Sequence, residues 1–240
     1  MKKNPFLDFQ AVPVRKKEIP LDRIVQAKQA IMDRIMEGYL SLVEEEVKGL
    51  VWLVGQSHEV RTYNAALRSI QDLQYDQDDI EELCAELDRG KQTPYLISGP
   101  AGIYISALIN QAPEDRILLR LQDFERTFHF LGYRLPEGKT LILQGNVGDF
   151  VGASVCGGRL VVEGSAGNWC GAGMTGGEIL VTGHTGQKTG EWMRGGTIQV
   201  DGRIWGMGQS RFGGDILHCG KPIAPLGAEE HSRPEGDGGI

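Results

Sequence analysis

The stretch that decides the fold is GNVGDFVGASVCGGRLVVEGSAGNWCGAGMTGGEILVTG, residues 145–183. Gly145, Gly164, Gly183 and Gly202 stand 19 residues apart, three intervals running. Around them one pattern recurs in LILQGNVGDFVGASVCGG (141–158), RLVVEGSAGNWCGAGMTGG (159–177), EILVTGHTGQKTGEWMRGG (178–196) and TIQVDGRIWGMGQSRFGG (197–214). The first three copies carry a short apolar run, then G-x-x-G-x-x-x-G, then a stretch closing on Gly-Gly. The fourth degrades: Trp205 replaces the second glycine, and Gly213-Gly214 arrives one residue early. An atypical terminal copy is the habit of stacked repeats.

Short runs of this kind do not support an isolated sheet. If each unit is one coil, equivalent strands stack in parallel about 4.8 Å apart. Alternation then points Leu141/Leu143, Leu160/Val162, Ile179/Val181 and Ile198/Val200 inward. The glycines fall where the coil turns sharply or where backbones approach too closely for a Cβ. Asp149, Asn168 and Gln187, four residues after the repeat glycine, suit turn residues that bond their own backbone. Phe150 and Trp169 share the next position, and the register predicts that they stack. A dinucleotide or phosphate loop needs a single glycine-rich turn between a strand and a helix. Here the motif repeats without a helix, so scaffold geometry is the better reading of the glycines.

The repeats resemble the GXGXG domain at the C-terminus of the glutamate synthase large subunit. They are also similar to the C subunit of formylmethanofuran dehydrogenase and of the related formyltransferase/hydrolase complex. The resemblance spans residues 139–222, roughly a third of the chain. It implies a right-handed, single-stranded parallel β-helix. It also implies a structural role, holding domains or subunits that carry flavin, iron–sulfur, amidotransferase or molybdopterin chemistry. No catalytic residue carries over from it. Those families have more coils than the four or so read here.

Upstream, residues 1–20 contain Pro5, Pro13, Pro20 and the cluster Arg15-Lys16-Lys17. They read either as an extended arm across a partner or as a disordered tail. Residues 21–138 read as a mainly helical docking and capping region. Leu21 to about Lys48 has an apolar stripe at helical spacing, which LVWLV (50–54) would extend. Asn64 to Gln71 and Asp79 to Leu87 are further predicted helices, the latter with Gly90 as a C-cap. The acidic group Asp76, Asp78, Asp79, Glu81 and Glu82 suits a helix N-terminus and lacks calcium-loop spacing. Pro94 to Asn110, around Gly99-Pro100-Ala101-Gly102, reads as a buried helix docking on the solenoid end, because no Gly-Lys-Ser/Thr completes a phosphate loop. Arg116 to Leu121 and Phe124 to Phe130 lead toward the solenoid and suit a cap on its first coil. Residues 223–240 read as a flexible polar tail.

The chain has 240 residues, a net charge of −7, 34 glycines and four cysteines. The acidic balance argues against nucleic acid and anionic membranes as partners. Cys84, Cys156, Cys170 and Cys219 form no CxxC pair, which argues against disulfide, zinc and iron–sulfur frameworks. No apolar run has the length of a membrane span, and the basic start lacks the apolar core of a signal peptide. The expected setting is reducing and cytoplasmic.

Candidate chemistry concentrates on His129, His184 and His218 with Cys156, Cys170 and Cys219, of which the adjacent His218-Cys219 is the most suggestive. Inward-packed cysteine is the commoner use in a solenoid. The expectation is therefore an α+β chain with no catalytic, cofactor or metal residue of its own. It would be a scaffold for flavoprotein (FMN/FAD), iron–sulfur or amidotransferase-type subunits. Two alternatives stay open: an enzyme with its own site at His218-Cys219 or along the coil face, and a small-ligand module where the helices meet the first coil.

Overall fold

A computed structural model describes residues 20–47, 58–90 and 98–223. The N-terminal arm up to Ile19, the LVWLV run, residues 94–97 and the tail beyond Ile223 lie outside these. Four helices come first: α1 (Leu21–Val47), α2 (His58–Ile70), α3 (Gln77–Arg89) and α4 (Ser98–Gln111). Strands β1 (Arg116–Arg120), β2 (Thr140–Gln144), β3 (Cys156–Glu163), β4 (Gly176–Val181), β5 (Thr197–Val200), β6 (Asp215–His218) and β7 (Lys221–Pro222) follow. The strands lie in sequence order in one sheet, and every pair through β5–β6 is parallel. This is an α+β chain ending in a parallel β-solenoid.

The register follows the repeat. Leu141 pairs with Leu160, Leu160 with Ile179 and Ile179 with Ile198, each 19 residues on. The early Gly213-Gly214 shortens the last step, so Ile198 meets Ile216. All five of these side chains are buried. The spaced glycines are needed for close approach. A Cβ on Gly164 would stand 2.2 Å from the Gly145 carbonyl oxygen, and one on Gly202 would stand 2.3 Å from that of Gly183.

The ladder begins earlier than the repeat. β1 pairs with β2 in the parallel sense, Arg116 opposite Thr140, so residues 116–139 form a longer, irregular first coil rather than a helical cap. Its turn nonetheless matches the others. Phe130, Gly132 and Arg134 have positive φ, as do Phe150, Gly152 and Ser154, then Trp169, Gly171 and Gly173, then Lys188, Gly190 and Trp192. These twelve φ values lie between 55° and 74°, and no residue from Arg203 to Phe212 has positive φ.

The cap on this coil is helical. α4 is the central helix, with Ile103, Tyr104, Ile105, Ala107 and Leu108 fully buried. It docks on the first coil as the sequence predicts. Ser106 Oγ donates to the Phe130 carbonyl at 2.9 Å, and Asn110 Nδ2 to that of Tyr133 at 3.0 Å. α2 begins at His58, six residues before the predicted Asn64.

α3 starts as predicted on its acidic group, through a capping box between Asp76 and Asp79. Lys28 of α1 lies 3.6 Å from Asp76 and 3.4 Å from Asp79. The same helix covers the free edge of β1. Gln77 Oε1 accepts from the Leu118 N–H at 2.8 Å, and Glu81 pairs with Arg120 at 3.1 Å. An uncovered edge strand invites unwanted pairing. The acidic cluster thus serves both the helix N-terminus and the sheet edge.

Candidate functional site

Two side-chain columns run along the solenoid, and they take in two of its candidate residues, His129 and His184. In one, His129 Nδ1 accepts from the Asp149 N–H at 2.9 Å, Asp149 Oδ1 from the Asn168 N–H at 2.7 Å, and Asn168 Oδ1 from the Gln187 N–H at 2.8 Å. In the other, Asn146 Oδ1 accepts from Ser165 N–H, Ser165 Oγ from His184 N–H, and His184 Nδ1 from Arg203 N–H. The sequence reading had Asp149, Asn168 and Gln187 bonding their own backbone. Instead, Asp149 and Asn168 satisfy the next coil, because parallel stacking brings that N–H to the side chain of the coil before it.

His129 and His184 are therefore acceptors at Nδ1, which puts the proton of each neutral ring on Nε2. A nitrogen held by a backbone N–H is not available as a base or a metal ligand. An aromatic column lies beside the first ladder. Phe130 stacks on Phe150 at 4.6 Å between centroids, Phe150 on Trp169 at 4.9 Å, and Lys188 Nζ sits 5.2 Å over Trp169. The Phe150–Trp169 stack matches the sequence reading. Phe130 and Lys188 extend it by a coil on each side.

The cysteines do not meet. Cys84 and Cys170 are buried, and burial raises both thiols, Cys170 to about 12. Cys156 is exposed, with Sγ 3.6 Å from the Leu135 carbonyl. Cys219 is exposed at φ 48°, its Sγ 3.1 Å from the Asp201 carbonyl. His218 ends β6 beside it, on the last coil. Among the described residues no group of three or more His, Cys, Asp or Glu side chains lies close enough to hold a metal ion.

One groove lies where the helices meet the solenoid, at the junction that the sequence offered as a ligand site. It encloses about 390 Å³ between Glu59 of α2 and coil residues that include Arg134, Ser154, Cys156 and Trp192. The Phe130 and Phe150 side chains also line it. Its lining holds the Cys156 thiol, the hydroxyl-bearing Tyr133, Ser154 and Thr175, and one charge of each sign, with no histidine beside the thiol. That set can bind, but it lacks the nucleophile–base pair of acyl transfer.

Sequence reasoning missed a feature of the last coil. Val200, in the inward series Leu143–Val162–Val181–Val200, is followed by His218, which is exposed. A second inward series runs Val155, Met174, Met193 and then Arg211. The N–H groups of Thr175, Arg194 and Phe212, each next in chain to the last three, donate to Val155, Met174 and Met193 in turn. Val155, Met174 and Met193 are fully buried. The one-residue shortening of the fourth repeat hid this alignment. Glu191, also buried, holds the irregular turn, accepting from the Gln209 N–H at 3.2 Å and the Ser210 N–H at 3.1 Å. No helix of the described residues is long and apolar enough to cross a membrane.

No family model, curated protein or solved structure matched the chain.

Proposed function

We propose that this chain is a non-catalytic scaffold subunit of a multi-subunit oxidoreductase, of the glutamate-synthase-like or formylmethanofuran-dehydrogenase-like kind suggested by its GXGXG-type repeat. Partner subunits would carry the flavin (FMN or FAD) and iron–sulfur groups. The observation that carries a scaffold role is the use made of the polar side chains. His129, Asp149, Asn168, Asn146, Ser165 and His184 each hold the backbone of the adjacent coil. A reactive site needs polar groups left over from folding and converging on one point.

The exposed aromatics support a docking role. Trp192, Trp205 and Phe212 are 46%, 57% and 71% exposed, and all lie on the last two coils. Large aromatic and arginine side chains are enriched where proteins bind each other. Isolation of the chain from its native source tests the reading. The expected result is recovery with other subunits in fixed ratio, with flavin or iron–sulfur absorbance belonging to them. Recovery alone, with activity or stoichiometric metal of its own, would replace the scaffold by an enzyme.

A second reading, ligand binding in the junction groove, is favoured by Trp192. It holds φ 57° with nearly half its surface exposed. A bulky side chain in that conformation costs about 1–2 kcal/mol. Phe150 and Trp169 recover such a cost by stacking.

A further inference from the structure

The sheet of the solenoid has an outer face that the core does not use. Along each strand from β1 to β6, outward residues alternate with the buried ones of the core. The central outward row runs Leu118, Ile142, Val161, Leu180, Gln199 and Leu217, in ladder register. All but Gln199 are aliphatic. Ile142 is buried, and Leu118, Val161, Leu180 and Leu217 are half-buried. A sheet face left to water is ordinarily polar, and a continuous aliphatic row on it marks a contact surface.

Charge divides this face in two. The row on one side runs Arg116, Thr140, Arg159, Glu178, Thr197 and Asp215. Read from either end it is the same row with its signs reversed: charge, hydroxyl, charge, then opposite charge, hydroxyl, opposite charge. The row on the other side runs Arg120, Gln144, Glu163, Thr182, Asp201 and Cys219. Within the chain, Arg159 pairs with Glu178 at 2.6 Å, and Arg120 with Glu81 of α3 at 3.1 Å. Arg116 and Asp215 are exposed on β1 and β6, and neither has an ion-pair partner among the described residues.

We infer that this outer face binds a second copy of the chain, about a two-fold axis parallel to the strands and lying between β3 and β4. The rotation lays β1 of each copy over β6 of the other. Arg116 then meets the partner's Asp215, Arg159 the partner's Glu178, and Thr140 the partner's Thr197. In the central row Leu118 meets the partner's Leu217, and Val161 the partner's Leu180. In the third row Arg120, Gln144 and Glu163 meet the partner's Cys219, the partner's Asp201 and the partner's Thr182, so no like charges oppose. A two-fold interface must be complementary to itself, and this face has that property in one register. An axis along the solenoid would instead set Arg116 against the partner's Arg120. Six strands of five residues cover roughly 29 Å by 17 Å, so two such faces bury about 1,000 Å², the low end for a specific interface. The dimer is accordingly reversible, with micromolar dissociation.

The chain's own ends suit this face less well. Residues 224–240 continue from β7 at its acidic edge, and carry Glu229, Glu230, Glu235 and Asp237 against Arg233. Residues 1–19 carry Lys2, Lys3, Arg15, Lys16 and Lys17 against Asp8 and Glu18. They lead into α1, whose Lys28 contacts the start of α3 at the basic β1 edge. Each end thus brings its own sign of charge to the half of the face it joins.

Sedimentation equilibrium of the purified full-length chain tests the inference. The mass should rise from 26.3 kDa toward twice that value with concentration through the micromolar range, and raised salt should reverse it. Arg116→Glu and Asp215→Arg should each weaken the dimer about tenfold, and the double variant should return it close to wild type. The two positions stand at opposite ends of the β1–β6 ladder within one chain, so rescue can arise only between copies. An unchanged urea midpoint in each single variant shows that the fold is kept. A chain that stays monomeric at high concentration, with its own ends or another protein holding the face, would overturn the inference. So would a dimer that the single substitutions leave unchanged or the double variant fails to restore, since either puts the contact elsewhere. The scaffold reading is tested separately by the subunits recovered from the native source, so either idea can fail alone.

Discussion

At the residue scale, the account rests on side chains that serve a neighbouring coil. Asp149→Ala leaves the Asn168 N–H without its acceptor, which we expect to cost about 1–2 kcal/mol in urea denaturation. Asp149→Asn keeps Oδ1 and should be near wild type, since Asn already stands at the same position one coil later. Equal losses in the two variants would mean that charge, rather than the ladder, is what Asp149 supplies. The thiols give a second check. Burial raises Cys170 to about 12 and raises Cys84 as well, so neither forms appreciable thiolate at pH 8. Mass spectrometry after iodoacetamide treatment of the native protein should find label on exposed Cys156 and Cys219 alone. Rapid labelling of Cys170 would contradict its place inside the solenoid. The sequence showed which residues share a position, as with Phe150 and Trp169. It did not show where their hydrogen bonds go, because an acceptor beside a turn can serve its own backbone or the next coil, and only stacking decides.

At the element scale, the joints between helices and solenoid are the sensitive places. A Cβ on Gly102 would stand 1.6 Å from the His129 carbonyl oxygen, a backbone atom that cannot swing aside. Gly102→Ala should therefore push α4 off the first coil and cost about 3 kcal/mol or more. An unchanged denaturation midpoint would show that α4 does not sit there. Asp76 caps α3, and Asp76→Ala should cost about 1 kcal/mol at neutral pH. Partial desolvation works against the Asp76 carboxylate, yet the Asp79 backbone N–H and the Lys28 ammonium outweigh it and hold it below its ordinary value. Its contribution is then present above the unfolded value of about 3.9 and is lost as pH falls through the lower folded one. The wild type and Asp76→Ala should converge in stability over that acid range, and a gap that stays constant would refute the cap. Strong periodicity made α1, α3 and β2–β5 readable from sequence. The start of α2 was harder, because the opening stretch HEVRTY (58–63) is largely polar, with His58, Thr62 and Tyr63 as its buried residues. β1 escaped because its coil runs 24 residues to the next strand and has no closing Gly-Gly. Its available signal was Phe130-Leu131-Gly132, which repeats the spacing of Phe150-Val151-Gly152.

At the scale of the whole molecule, α3 and α4 of the helical part close one end of a stack of coils, and among the described residues no helix covers the last coil at the other end. The repeat made the solenoid legible, since 19-residue spacing of glycine and apolar pairs leaves few alternatives. The inward place of Arg211 was not legible, because the one-residue shortening of the fourth repeat takes it out of the 19-residue register of Met174 and Met193. A chain whose polar groups are committed to its own coils is expected to act through what it holds. Sedimentation velocity of the chain isolated gently from its native source measures this most directly. The account predicts a particle well above the 26.3 kDa of one chain, containing at least one other polypeptide in fixed ratio. A single species at the mass of one chain, without bound subunits, would contradict it.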